Sequence, residues 1–169
     1  LLPPGPAEGE ATMQTLLMPL LERAEATASL QGRPWRGPDL WPQWIDQPSQ
    51  DGTIAEIVAN LLENAFRYSP AGCSVGLCLL PDGLCVWDNG PPIPLEERDL
   101  IFERGARGST GQDRAGTGLG LALARSLAEQ QGRKLTLCVE PSTIAPDLPA
   151  QGNAFVLSWP AGARPDPTT

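Results

Sequence analysis

Apolar residues in this chain recur with two different periods. Between Thr15 and Leu30 they fall at Leu16, Leu17, Leu20, Leu21, Ala24 and Ala28, the spacing of one helix face, and predict a helix that Pro19 kinks or restarts. On a wheel of about 100° per residue, Ile54, Val58, Leu61, Leu62 and Ala65 share one side of a second helix running to Tyr68. Thr53 and Glu56 have capping-box spacing at its start, and Ser69-Pro70-Ala71-Gly72 ends it. A third helix is predicted over Leu119 to Gln130. Strand-like runs cover Cys73 to Leu80 and Leu84 to Trp87, joined by the turn chemistry of Pro81-Asp82-Gly83, with two more at Lys134 to Val139 and Ala154 to Trp159. Trp35, Trp41 and Trp44, in the Pro-rich stretch from Gln31 to Pro48, are expected to pack in short strands.

The remaining segments lack a period. Leu1 to Gly9, Pro141 to Gly152 and the tail from Ala161 read as linker or loop. Asn89 to Gly118 is a long Pro-, Gly-, Arg- and Ser-rich segment interrupted by Leu100-Ile101-Phe102, and a loop of that length is a functional lid or a disordered region. The pattern divides into an edge at 1–12, one domain at 13–160 and a disordered tail at 161–169.

Composition narrows the chemistry. The chain has 169 residues, enough for one core that buries about 70% of the unfolded surface without staples. Twelve Lys and Arg against twenty Asp and Glu give a net charge of −8, which disfavours nucleic acid and anionic membrane as partners. No apolar run approaches the roughly 20 residues of a membrane helix, and no basic stretch leads into an apolar one at the N-terminus, so a soluble, cytoplasmic domain is expected. The chain contains no histidine, which excludes a His-based triad, a His-ligated metal or a phosphohistidine within it. Cys73, Cys78, Cys85 and Cys138 show no C-x-x-C spacing and read as buried reduced thiols.

The second helix has another face, formed by Glu56, Asn60, Glu63, Asn64 and Arg67. Taken alone, that is a solvated surface. Further along, Gly116-Thr117-Gly118-Leu119-Gly120 precedes the third helix, so that free N–H groups and the positive end of a helix dipole meet a glycine backbone that phosphate can approach closely. Arg104, Arg107 and Arg114 lead into it and concentrate positive charge in an acidic chain. The turn matches neither the dinucleotide G-x-G-x-x-G pattern nor the G-x-x-x-x-G-K-[ST] phosphate loop.

In order, Asn60-Leu-Leu-Glu-Asn64-Ala-Phe-Arg67-Tyr68-Ser-Pro, Asp88-Asn-Gly90-Pro-Pro-Ile93, Ile101-Phe102-Glu-Arg104 and Gly116-Thr-Gly118-Leu-Gly120-Leu121 resemble the N, G1, F and G2 boxes of histidine-kinase catalytic domains. The resemblance spans about Thr15 to Pro160 and extends to the superfamily of DNA gyrase, HSP90 and MutL ATPases. It implies an α/β (α+β) two-layer sandwich, a mixed sheet of about five strands packed on three helices with a long mobile ATP lid. It implies ATP and Mg²⁺ as ligands, with Asn64 binding the metal, Arg67 contacting phosphate, Tyr68 near the adenine and Asp88 accepting from the adenine amino group. Gly90, Ile93, Phe102, Gly116, Thr117, Gly118, Leu119 and Gly120 would complete the pocket, and Arg107 and Arg114 would reach the γ-phosphate from the lid. Asn60 stands where the hydrolases of the superfamily carry a glutamate that activates water, and an amide cannot act as a general base. The implied reaction is transfer of the γ-phosphoryl group by positioning and charge stabilisation, with Glu63 only a polar-face residue.

Plainer readings stand beside these: Tyr68 as a helix-end packing residue, Phe102 as core, the arginines as solvated charges. Pro92 replaces the last glycine usual in the G1 box, and with φ fixed near −65° and no N–H it reroutes the backbone there. The acceptor histidine and its dimerisation domain are absent and are expected to precede Leu1 in a parent protein, with a response regulator downstream. This chain would therefore not autophosphorylate alone. The alternatives are a degenerate nucleotide-binding or interaction module, and a superfamily ATPase or serine kinase.

Overall fold

The computed structural model describes residues 11–49, 52–103 and 120–160. A short strand, β1 (Ala11–Thr12), leads into helix α1 (Met13–Gln31). Thr12 caps α1 by accepting the Thr15 N–H at 3.2 Å, and Gly32 closes it in the left-handed region at φ 65°. The helix runs uninterrupted through Pro19. Proline removes the bond to the Thr15 carbonyl, but Thr15 and Pro19 are both exposed, so water can satisfy it, while Leu17, Leu21, Ala24 and Ala28 hold the other face in the core.

The tryptophan-rich stretch is less strand-like than expected. Trp35 lies in β2 (Trp35–Arg36), but Trp44 sits on a 3₁₀ turn (Gln43–Asp46) before β3 (Pro48–Ser49), and Trp41 is exposed. Trp44 is placed by tertiary contacts: its Nε1–H donates to the Leu80 carbonyl at 2.7 Å, and its ring meets Trp159 edge-on at 5.1 Å.

Helix α2 (Thr53–Tyr68) has Gly52 in the cap position, so Thr53 is its first turn and not the capping residue of the expected box. It buries Ile54, Ile57, Val58, Leu61, Leu62, Ala65 and Phe66, each large side chain contributing about 1.5–3 kcal/mol. Then come β4 (Val75–Leu80), β5 (Gly83–Asp88), α3 (Gly120–Gln130), β6 (Lys134–Cys138) and β7 (Asn153–Ser158).

The main sheet has the order β2-β4-β5-β7-β6, with β2 and β4 parallel and the other pairs antiparallel; β1 and β3 form a small separate pair. Val75, Leu77, Leu84, Val86, Phe155 and Leu157 join the three helices in one core. The mixed α/β two-layer sandwich is as expected, with five strands in its main sheet and three helices among the described residues. The opposite face of the sheet is covered too. Cys85, Trp87 and Ala154 pack there with Leu148, Ile144 and Ala145 from the 141–152 segment, which Arg36 ties down through the Asp147 carbonyl at 2.7 Å and the Asp147 carboxylate. Gly76 is required because a Cβ there would lie 2.4 Å from the Trp87 ring. Every residue of β5 is therefore buried, and its Leu84 to Trp87 stretch reads as a continuous apolar run before Asp88.

Of the four thiols, all free, only Cys85 is fully buried; Cys73, Cys78 and Cys138 are partly exposed. The expectation of four buried thiols is corrected to one, because Cys73 precedes β4 and the other two pack only partly buried against the rear cluster.

Candidate functional site

The site grows from the end of β5. Even-numbered residues of β5 face the helices, and Asp88, the last of them, lies opposite Asn153 at the start of β7. Asp88 is 6% exposed. Its Oδ1 accepts the Gly90 N–H at 2.9 Å and Asn153 Nδ2–H at 3.3 Å; neither bond uses Oδ2. Burial pushes its pKa up, and these two bonds and the charge of Arg33 pull the other way.

Asn153 is the residue that sequence reasoning missed. Its Nδ2 also donates to the Pro91 carbonyl at 2.9 Å, and its Oδ1 accepts the Ile93 N–H at 2.8 Å. One buried amide thus holds the backbone on both sides of Pro92. A polar residue between Gly152 and an apolar strand is the signal that could have found it. Gly152 completes the fit: a Cβ there would fall 2.1 Å from the Asp88 carbonyl oxygen.

The other wall is the end of α2. Arg33, 7% exposed, donates through Nε to the Cys73 carbonyl at 2.8 Å, and through its terminal nitrogens to the Phe66 carbonyl at 3.3 Å and to Ser69 Oγ. It fixes the Ser69–Cys73 turn against which Gly90 packs, since a Cβ on Gly90 would approach Pro70 Cδ to 3.0 Å.

On α2, Asn60 and Asn64 lie half-buried on the same face. Asn60 Oδ1 is 3.8 Å from where a Cβ of Gly120 would stand, so it meets the first residue of α3. Arg67 turns along the helix to Glu63, 2.9 Å away, and borders a groove of about 570 Å³ between α1 and α2. Its guanidinium lies 6.0 Å from the Tyr68 ring centroid at the helix end. Ile93 packs against the core, and its carbonyl accepts from Arg98 Nε at 3.0 Å. Phe102 is a core residue, edge-on to Phe155 at 6.0 Å with Arg125 4.4 Å above its ring centroid. Of the segment expected as a lid, residues 89–103 are described and carry short 3₁₀ turns at Leu95–Glu97 and Leu100–Phe102, whereas the rest, with Arg104, Arg107, Arg114, Gly116, Thr117, Gly118 and Leu119, lies outside the described residues.

The described residues contain no group of three or more Asp, Glu or Cys that could hold a metal alone. The neutral oxygens of Asn60 and Asn64 suit a hard cation that takes most of its ligands from phosphates and water.

Residues 50–163 match the family model described as histidine kinase-, DNA gyrase B-, and HSP90-like ATPase. The sensor histidine kinase Hik2 of Thermosynechococcus vestitus is 35% identical over 159 residues, covering 89% of this chain but only 39% of that protein's length. Among solved structures, the mycobacterial sensor histidine kinase MprB is 26% identical with a TM-score of 0.61, over 83% of this chain and 93% of that one. The catalytic domain of histidine kinase ThkA, 21% identical, shares the fold at a TM-score of 0.64 over 90% of this chain and 96% of that one. Fold, family match and relatives agree, and the chain belongs to the histidine kinase-, DNA gyrase B- and HSP90-like ATPase family.

Proposed function

We propose that this chain is the catalytic domain of a sensor histidine kinase, spanning residues 13–160, that binds Mg-ATP and presents its γ-phosphoryl group to a histidine on a separate dimerisation domain. The observation that carries this reading is the buried Asp88 carboxylate, held by Gly90 and Asn153 through one oxygen at the open end of β5. Oδ2 of Asp88 is left for the adenine amino group. Asn64 would hold Mg²⁺ with the phosphates, and Asn60 would stand beside the α3 N-terminus, where the Gly116–Gly120 turn and the arginines Arg107 and Arg114 would meet the anionic tail. Arg67 would leave Glu63 for phosphate when nucleotide binds, and Tyr68 would flank the base. The metal would supply charge neutralisation between the phosphates; the chain's own residues orient the nucleotide and exclude water.

The chain has no histidine, so the acceptor lies on another segment or chain, in a cytoplasmic two-component system with a response regulator downstream. The anchoring of the loop on both sides of Pro92 favours a working pocket over a degenerate module, because the rerouted backbone is held and not collapsed. Calorimetric titration with Mg-ATP and Mg-GTP tests this. Adenine offers an amino donor where guanine offers a carbonyl, so ATP should bind at least tenfold tighter, a difference of about 1.4 kcal/mol. Equal affinities, or no binding at millimolar ATP, would overturn the reading.

A further inference from the structure

Away from the nucleotide site, the rear face of the sheet carries two thiols in register. Cys78 on β4 lies directly opposite Cys85 on β5, and both side chains belong to the apolar cluster under the 141–152 segment. Directly opposed residues of an antiparallel pair have Cβ atoms about 4.5–5.5 Å apart, so a small closing of the hairpin brings them to the roughly 3.5–4.5 Å of a disulfide. The two differ in access. Cys85 is fully buried, whereas Cys78 is partly exposed and lines a cavity of about 170 Å³ with Arg36, Leu40, Trp87 and Asp147, room enough for a small oxidant.

They differ in acidity as well. The interaction between the two thiols lowers the Cys78 pKa and, with burial, raises that of Cys85. Nearby Arg36 also favours the Cys78 thiolate, while burial, Asp147 and Asp39 oppose it. Thiolate character and access select which thiol reacts first.

We propose that Cys78 and Cys85 form an oxidation site, at which a hydroperoxide converts the pair to a cross-strand disulfide with Cys78 reacting first. The Cys78 thiolate attacks one peroxide oxygen. The O–O bond breaks, the departing oxygen takes a proton as water, and Cys78 becomes a sulfenic acid. Cys85 then attacks the Cys78 sulfur; the S–S bond forms, the S–O bond breaks, and the Cys85 proton leaves with the hydroxide as a second water. Two thiols lose two electrons and two protons, and hydrogen peroxide is reduced to two waters. The pair needs no partner from Cys138, which sits on β6 beyond the intervening β7.

The test is to treat the chain with hydrogen peroxide, alkylate free thiols under denaturing conditions, and digest with a protease that cuts before aspartate. Cleavage before Asp82 separates Cys78 from Cys85. The expected product is one peptide pair linked between these cysteines, released by dithiothreitol, absent from Cys78→Ser and retained in Cys73→Ser and Cys138→Ser. A Cys78 sulfinic or sulfonic acid with Cys85 still alkylated, a link from Cys85 to Cys73 or Cys138, or four unmodified thiols would each overturn the proposal.

Discussion

A carboxylate buried among neutral partners costs stability in its ionised form. Burial raises the Asp88 pKa above its ordinary 3.8, so the ionised form opposes folding above the folded-state pKa, and that opposition disappears as pH falls below the unfolded value. If Asp88 recognises adenine as proposed, binding would need the ionised form, and ATP affinity should fall with decreasing pH at a higher pH than an ordinary aspartate would give. Asp88→Asn keeps an oxygen for Gly90 and Asn153 but turns an amide donor towards the adenine amino group. The apo variant should melt no lower than wild type at pH 7, while ATP affinity falls more than tenfold; scanning calorimetry and titration check the two halves. Asn153→Ala acts differently, orphaning the Pro91 carbonyl and the Ile93 N–H. It should cost about 1–3 kcal/mol of stability and lower ATP affinity as well, measured by urea denaturation and by titration. Asp88, Asn60 and Asn64 were legible because motif order and helix spacing expose them. Asn153 and Arg33 were not, since each acts through backbone groups brought near by folding, from 62 and 33 residues away in the contacts with Pro91 and Phe66.

Elements were readable wherever one face alone is buried. Helix α2 shows this best: each residue assigned to its apolar side is buried, and Asn60 and Asn64 lie opposite. Reading failed where tertiary structure overrides a local rule. The rear cover of the sheet comes from Ile144, Ala145 and Leu148, scattered among prolines with no period, and Trp44 is held by Leu80 and Trp159 and not by a strand. Pro19 breaks no helix, because the core contacts of α1 lie before and after it on the opposite face. That tolerance is measurable. Proline in a helix interior is about 3 kcal/mol worse than alanine, part of which is offset by the stiffer unfolded chain. Pro19→Ala should therefore stabilise the protein by about 1–3 kcal/mol with an unchanged m-value in urea, and a loss of stability would show that the proline shapes the α1 surface.

At the scale of the molecule, α2 links three parts of the chain: the turn after it packs Pro70 against Gly90 at the β5–β7 end with Asp88 and Asn153, and its Asn60 meets the start of α3 at Gly120. A ligand touching all three would stabilise the whole fold, because it binds only the assembled form; Mg-ATP at a hundred times its Kd should add about 2.7 kcal/mol to the unfolding free energy. The same arrangement argues against turnover by the chain alone. Asn60 supplies no general base, Glu63 is 2.9 Å from Arg67 on the α1 side of the helix, and no histidine is present to accept phosphate. Bound ATP should therefore persist through many dissociation cycles without hydrolysis. Adding a histidine-bearing dimerisation domain from a cognate kinase should start phosphate transfer, seen as acid-labile, base-stable label on the added domain. Steady release of inorganic phosphate from the chain by itself, at rates unaffected by the added domain, would identify a hydrolase and reverse the role assigned to Asn60.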